Sequence, residues 1–178
     1  APLVSATCDL ILVATSAAQL RNAIRLAEPG PGNRVVVAGR GLEPASGVWL
    51  ADVVQQESDC VRVGALAGPA PVEEILNGGL CAGVIASPYE DVRELATQAL
   101  HSSRYRLYGS EDLAGVQLAG AIVPVLACMT GLATRLGGAG VGMHAMVLSR
   151  GLAEATRLAR AIGADPATFI GLAGVGDL

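Results

Sequence analysis

The sequence predicts an α/β layer of parallel strands followed by an all-helical lobe. Three observations predict it. Short apolar runs rich in β-branched residues alternate with short helical patterns as far as residue 110, those runs disappear after Ser110, and two long helical patterns take over.

The first run, residues 7–15 (TCDLILVAT), suits a buried strand. Ser16 is placed to cap a helix in which Leu20, Ile24 and Ala27 form one stripe and Arg21 and Arg25 the other. PGPGN at 29–33 stops that helix and leads into a second strand, RVVVAG. Residues 47–56 read as a helix, 61–66 as a strand, 72–76 as a helical turn or two, and 80–86 as a further strand. A helix over 91–100 precedes a short extended piece at 105–108. Strands alternating with helices in this way are expected to run parallel, joined by right-handed crossovers.

Beyond a boundary near residue 110, helices are expected over 112–136 and 142–162. Pro124 should kink or break the first near Val123, because proline lacks a backbone donor and crowds the preceding turn. In the second, Leu148, Leu152, Ala155 and Leu158 share a side, and Arg157 and Arg160 approach the C-terminal end, where cations favour the helix dipole. Asp165 and Pro166 open one more short helix as cap and first residue.

The chain has 178 residues, 52% of them hydrophobic, enough for a full core in one domain or two small lobes. A net charge of -4 without a basic run gives no footprint for nucleic acid or an anionic membrane, so a small molecule or a protein is the expected partner. Cys8, Cys60, Cys81 and Cys128 lack the paired spacing of a zinc or redox site and read as buried, reduced thiols in a cytoplasmic protein. Residues 113–134 carry no charge and are long enough to span a bilayer. Gln117, Pro124, three glycines and the absence of flanking positive or aromatic clusters favour a buried central helix instead.

Individual glycine turns such as GRG at 39–41 and GVG at 174–176 say little, but the order of landmarks says more. GRGLEP, AGPAPVEE, a glycine-rich uncharged helix, SRGLAEATRL and GADPATFIGLAGVGDL follow one another along most of the chain. This series resembles the bacterial NAD(P)-dependent glycerol-3-phosphate dehydrogenases. In that family a strand ends in a lysine-glycine turn and the next in Ser-Gly-Pro, a buried helix carries Leu-Lys-Asn, and a later segment closes on Gly-Asp-Leu. The resemblance implies an incomplete Rossmann-like sheet over 1–110, the second half of an NAD(P)-binding domain. Over 111–178 it implies the start of a helical substrate and dimerisation lobe, like the C-terminal domain of 6-phosphogluconate dehydrogenase. It further implies NAD or NADP as cofactor, a homodimer, and interconversion of glycerol 3-phosphate and dihydroxyacetone phosphate for phospholipid precursor supply.

Such chemistry needs a held nicotinamide, a general base for the hydroxyl proton, and donors for the phosphate. By the resemblance, Arg40 stands at the strand-end lysine and would meet substrate or cofactor, although its planar fork does not lose a proton. Gly68 and Pro69 match the Ser-Gly-Pro turn, while Ala67 and Ala70 replace its hydroxyl residues, so Gly68 and Ala70 would face the substrate with two donors missing. Val72 falls where a small residue meets the cofactor. Glu73 and Glu74 point apart on a helix start and read as solvated.

Val123 occupies the position of the family's lysine acid/base and Pro124 that of the neighbouring asparagine; no acidic or basic side chain lies between Asp112 and Arg135 to replace them. GVGMH at 140–144 stands for a Gly-Asp-Asn-Ala-Arg run and puts His144 at the arginine position, either structural or a substitute base. His101 suits a helix end, Arg150 packing or ion pairing, and Asp177 matches the aspartate of the family's substrate site.

The sequence shows no Gly-x-Gly-x-x-Gly opening and stops before the segment where the family places its Arg-Asn phosphate pair, and so reads as a fragment or a reduced descendant of a longer protein. A fragment is expected, since an orphaned half sheet exposes an edge. Two functions follow as expectations: a catalytically impaired dehydrogenase, or a non-catalytic pseudoenzyme serving as a binding or scaffolding protein.

Overall fold

The computed structural model describes residues 5–135 and 140–178. Among these, five strands form one sheet in the sequential order β1 to β5: β1 Leu10–Val13, β2 Arg34–Val37, β3 Arg62–Ala67, β4 Cys81–Ala86 and β5 Tyr105–Ser110. The helices are α1 Ala17–Ala27, α2 Leu50–Glu57, α3 Val72–Leu76, α4 Glu90–Leu100, α5 Leu113–Arg135 and α6 Val141–Ala161, with 3-10 turns at Pro166–Ile170 and Val175–Asp177.

Three consecutive valines suit β2 to the interior of the sheet: Val35, Val36 and Val37 are all buried, as a strand covered on both faces requires. On one face Val35 and Val37 join Val63, Leu20 and Ile24 of α1, and Val53 and Val54 of α2. On the other Val36 meets Ile85, Leu107, and Val92 and Ala96 of α4. A third cluster joins the helical lobe to the sheet, with Ala65, Ala67 and Ala86 facing Val116 and Ala119 of α5, Ala155 and Ala159 of α6, and the fully buried Phe169. Alanine on every surface lets these layers approach closely, and burying the one phenylalanine adds about 1.5–3 kcal/mol.

The sheet is not all parallel. Pairs β1–β2, β2–β3 and β4–β5 run parallel, but β3 and β4 run antiparallel, with Ala65 opposite Ala86 and Ala67 opposite Val84. The reason lies in the connection. The five-residue α3 buries no side chain and cannot cover a sheet face as a crossover helix must, so the chain turns back beside β3. The carboxyl ends of β1, β2 and β3 therefore share one edge with the amino ends of β4 and β5.

Several local expectations need correction. Helix α5 runs through Pro124 without a break, because its neighbours hold it along the sheet and α6 while only one backbone donor is lost. Its expected end at Leu136 lies outside the described residues. Helix α2 starts at Leu50, three residues later than expected, after Leu42 pairs with Trp49 in a single bridge. Ser16 sits at the N-cap of α1, but its hydroxyl donates to Gln19 Oε1 at 3.0 Å and caps no backbone N–H. All four cysteines are free thiols, yet Cys8, just before β1, is half-buried, and Cys128 is exposed because the far half of α5 has little packed over it. Leu158 is likewise exposed, leaving Ala155 and Ala159 as the buried residues of α6.

Helix α5 has the length and composition of a bilayer span, but it packs on β3, β4 and α6. Its one amide, Gln117, is explained by that packing: Oε1 accepts the N–H of Ala51 at 2.9 Å and so caps α2 from another element.

Candidate functional site

The shared edge is where open α/β sheets bind ligands, in the crevice outside the carboxyl ends of the strands. Each of the first three strands delivers a residue there. β1 runs out into Thr15, whose hydroxyl oxygen is buried and has no hydrogen-bond partner among the described residues. β2 runs out into Gly39 and Arg40, and Gly39 is the right residue because a Cβ would lie 3.2 Å from both the Thr15 carbonyl and Leu50 Cδ1. β3 runs out into Gly68, held at φ +119 with its α-carbon so close to β4 that a Cβ would lie 3.0 Å from Gly83 Cα.

Arg40 ties these ends to the last turn of the chain. Its Nη2 donates to the Gly68 carbonyl at 3.3 Å and to Asp177 Oδ1 at 3.0 Å, and Nη1 forms an ion pair with Asp177 Oδ2. Asp177 Oδ2 is buried and accepts no well-aligned hydrogen bond among the described residues, so it depends on that charge. The Arg40 stem lies on α5 at Gly120, where a Cβ would stand 3.8 Å from Arg40 Cγ. The gap left between Arg40, the strand ends, Gln117 and Gly120 is about 10 Å³, room for about one water. The outer side of the guanidinium, which is 40% exposed, is the side open to a ligand.

Of the residues singled out in the sequence, Arg40, Gly68 and Asp177 thus come together. Val123 lies one turn beyond Gly120 on the same face of α5 and is 1% exposed. Ala70 is half-buried just after the Gly68 turn, and Val72 opens α3 with its side chain 64% exposed. His144 is half-buried in the first turn of α6. His101 ends α4, where Nδ1 accepts the Leu107 N–H at 3.3 Å. Arg150 pairs with Glu154 at 2.9 Å, one helical turn away. Sequence reasoning missed Thr15 and Gly120. Thr15 stands at the end of an apolar strand where a hydroxyl has no packing role, a usable signal; Gly120 is one small residue among many in α5, which is none.

Chemically, the edge offers one fixed cation, a backbone turn that a ligand can approach, and an orphaned hydroxyl. No group of three or more His, Cys, Asp or Glu suited to a metal ion occurs among the described residues.

Comparison with known proteins gives a consistent picture. Residues 3–93 match the family model of the NAD-dependent glycerol-3-phosphate dehydrogenase N-terminus, and residues 112–178 that of its C-terminus. The chain is 38% identical over 175 residues to the glycerol-3-phosphate dehydrogenase [NAD(P)+] of Teredinibacter turnerae, covering 97% of this chain and 51% of that protein. It is 42% identical over 172 residues to the protein of the same name from Halorhodospira halophila, covering 96% and 51%. Among solved structures, the glycerol-3-phosphate dehydrogenase of Coxiella burnetii superposes with a TM-score of 0.86 at 29% identity, over 96% of this chain and 52% of that one. The yeast enzyme shares the fold, with a TM-score of 0.85 at 22% identity and coverage of 96% and 52%. The chain spans about half the length of the curated relatives it matches.

Proposed function

The chain belongs to the NAD-dependent glycerol-3-phosphate dehydrogenase family, and from that premise we propose that it forms the substrate-side half of a cytoplasmic, dimeric dehydrogenase. The reaction interconverts glycerol 3-phosphate and dihydroxyacetone phosphate in phospholipid precursor supply. On this reading residues 1–110 give the later strands of the nucleotide-binding layer and 111–178 the first part of the helical lobe. The observation that carries it is the convergence of Arg40, Gly68 and Asp177 at the ligand-binding edge of the sheet.

The residues present fit one end of a dinucleotide. The Thr15 hydroxyl and Arg40 border the edge where a nicotinamide would sit, and Val72 is assigned to it by the family resemblance alone. A bound NAD or NADP supplies the hydride exchange. This chain's own contribution is positioning and charge. Arg40 presents a guanidinium that stays protonated, suited to an oxygen that gains negative charge, and Asp177 and the Gly68 carbonyl hold it in place. Gly68 and Ala70 offer backbone without hydroxyl donors.

Proton transfer is the step the chain is poorly equipped for. Val123 is a buried hydrocarbon at the position assigned to the general acid/base, and Arg40 cannot exchange a proton in its stead. The loss of that term is worth roughly 10²- to 10⁴-fold. The test follows the absorbance of reduced nicotinamide with dihydroxyacetone phosphate, in the full-length protein that contains this chain. Slow turnover that Val123→Lys with Pro124→Asn raises by about that factor is expected. A native protein already fast, and not improved by the pair, would overturn the assignment of Val123; no turnover in either protein would overturn the dehydrogenase reading.

A further inference from the structure

On the far side of the Gly68–Pro69 turn from Arg40 lies a second crevice, about 420 Å³ in volume. Pro69 and Pro71 form one wall with Glu74, Cys81 and Ala82 lie at its base, and Arg104, Arg106 and Tyr108 line the edge strand β5 opposite. The proline wall is tied to the base by the Ala82 N–H donating to the Pro69 carbonyl at 3.4 Å.

The alternation of β5 explains why these side chains converge. Leu107 is buried in the cluster under α4, so residues 104, 106 and 108 share the other face. Helix α5 covers that face further along, over Val84 and Ala86, and leaves the beginning of β5 open. Eight of the twelve arginines are ion-paired among the described residues, which makes the two here unusual. Among the described residues the Arg104 guanidinium donates only to the Gly78 carbonyl, and the Arg106 guanidinium has neither a hydrogen bond nor an ion pair. Two guanidinium groups two residues apart on one strand face, without a carboxylate between them, present forked donors that match the tetrahedral oxygens of a phosphate. Across the crevice the Glu74 carboxylate is engaged, among the described residues, only by the weak thiol donor of Cys81, at 3.9 Å, and retains acceptor sites for hydroxyl donors.

We propose that this crevice binds a small phosphate monoester bearing free hydroxyl groups, with the phosphate on Arg104 and Arg106 and a hydroxyl donating to Glu74. The site is separate from the Arg40 cluster and stands whether or not the redox reading holds.

Isothermal titration of the full chain at constant ionic strength, with inorganic phosphate and with glycerol 2-phosphate as probes, tests it. A saturable phosphate site is expected, weakened at least about tenfold in Arg104→Gln/Arg106→Gln, as suits loss of charge-assisted forked bonds, and unchanged in Arg160→Gln, which removes an exposed arginine elsewhere. Glu74→Gln should weaken glycerol 2-phosphate and leave inorganic phosphate as it was. Arg106 and Arg104 are exposed, so their replacement leaves the core intact. The absence of saturable binding, binding that survives the double arginine variant, or binding equally lost in Arg160→Gln would each overturn the proposal.

Discussion

Arg40 and Asp177 meet across 137 residues of sequence, joining the end of a central strand to the last turn of the helical lobe. The partners are unequal, since the Asp177 side chain is 8% exposed and that of Arg40 is 40% exposed. Arg40→Ala leaves a buried carboxylate without its cation and should cost about 1–3 kcal/mol, whereas Asp177→Asn leaves an arginine that water can solvate and should cost less. Urea denaturation with an unchanged m-value measures the difference. Equal losses in the two variants would mean that the pair is no more than a surface contact.

Asp112 organises the start of the helical lobe. Its Oδ1 accepts the Gly115 N–H at 2.9 Å, capping α5, and its Oδ2 accepts from the Asp165 N–H and the Thr168 hydroxyl. A Cβ at Gly115 would fall 1.8 Å from Oδ2, so Gly115→Ala must displace the carboxylate from all three donors. A destabilisation of about 1–3 kcal/mol is expected, close to that of Asp112→Ala. The Asp112→Ala/Gly115→Ala double variant should lose little more than either single one, since both remove the same contacts. Thermal melting of the four proteins checks this; full additivity would show the two residues to be uncoupled.

Much of this architecture was legible because burial imposes pattern. The valine run of β2, the Leu20 and Ile24 stripe of α1 and the Asp165–Pro166 helix start each carry a local signal, and the chain folds as they indicate. The antiparallel return of β4 was not legible, because strand direction depends on whether the connecting segment covers a face, and the apolar pattern of 80–86 is the same either way. The capping of α2 by Gln117 was equally silent, for it joins residues 66 positions apart. At the candidate site, the pairing of Arg40 with Asp177 has no expression in composition or spacing, and only the ordered family landmarks suggested that the two ends meet.

The acid range tests a network that packs α1 against α2. Arg21 donates to Glu43 through Nε and Nη2, both at 2.7 Å, and also reaches Glu57, which Arg25 engages from its other side. The Arg21 hydrogen bonds, followed by that from Ser46, hold the Glu43 carboxyl down at about 2 from its ordinary 4.5. Glu57 is lowered too, by Arg25 first and then Arg21. Because the folded values lie below the unfolded ones, this contribution is complete above about pH 4.5 and is lost as the pH falls toward 2. The melting temperature of the native chain should therefore fall over that window more steeply than that of Glu43→Gln, and the two curves should converge near its lower end. Parallel curves would remove Glu43 from the acid response.

The packing of Tyr105 on Gly83 gives a sharper test, because both residues lie on the face of β4 and β5 that α4 covers, in the cluster with Leu107 and Ile85. The Tyr105 ring lies over the glycine, where a Cβ would fall 2.1 Å from the phenolic oxygen and 3.0 Å from Cζ. Burial raises the Tyr105 pKa, as expected for a phenol whose anion is poorly solvated. Gly83 is not in a left-handed conformation, so the backbone accepts alanine, and any loss in Gly83→Ala comes from the tyrosine above it. That loss should be about 1–3 kcal/mol. Tyr105→Phe removes the atom in severe overlap and leaves one only a few tenths of an ångström too close, so Gly83→Ala/Tyr105→Phe should recover most of the stability. A coupling energy of about 0.5–3 kcal/mol in the double-mutant cycle, read from urea midpoints, is the expected result. A cycle that closes at zero would mean that the ring moves aside freely, and that β5 is packed on β4 more loosely than the geometry requires.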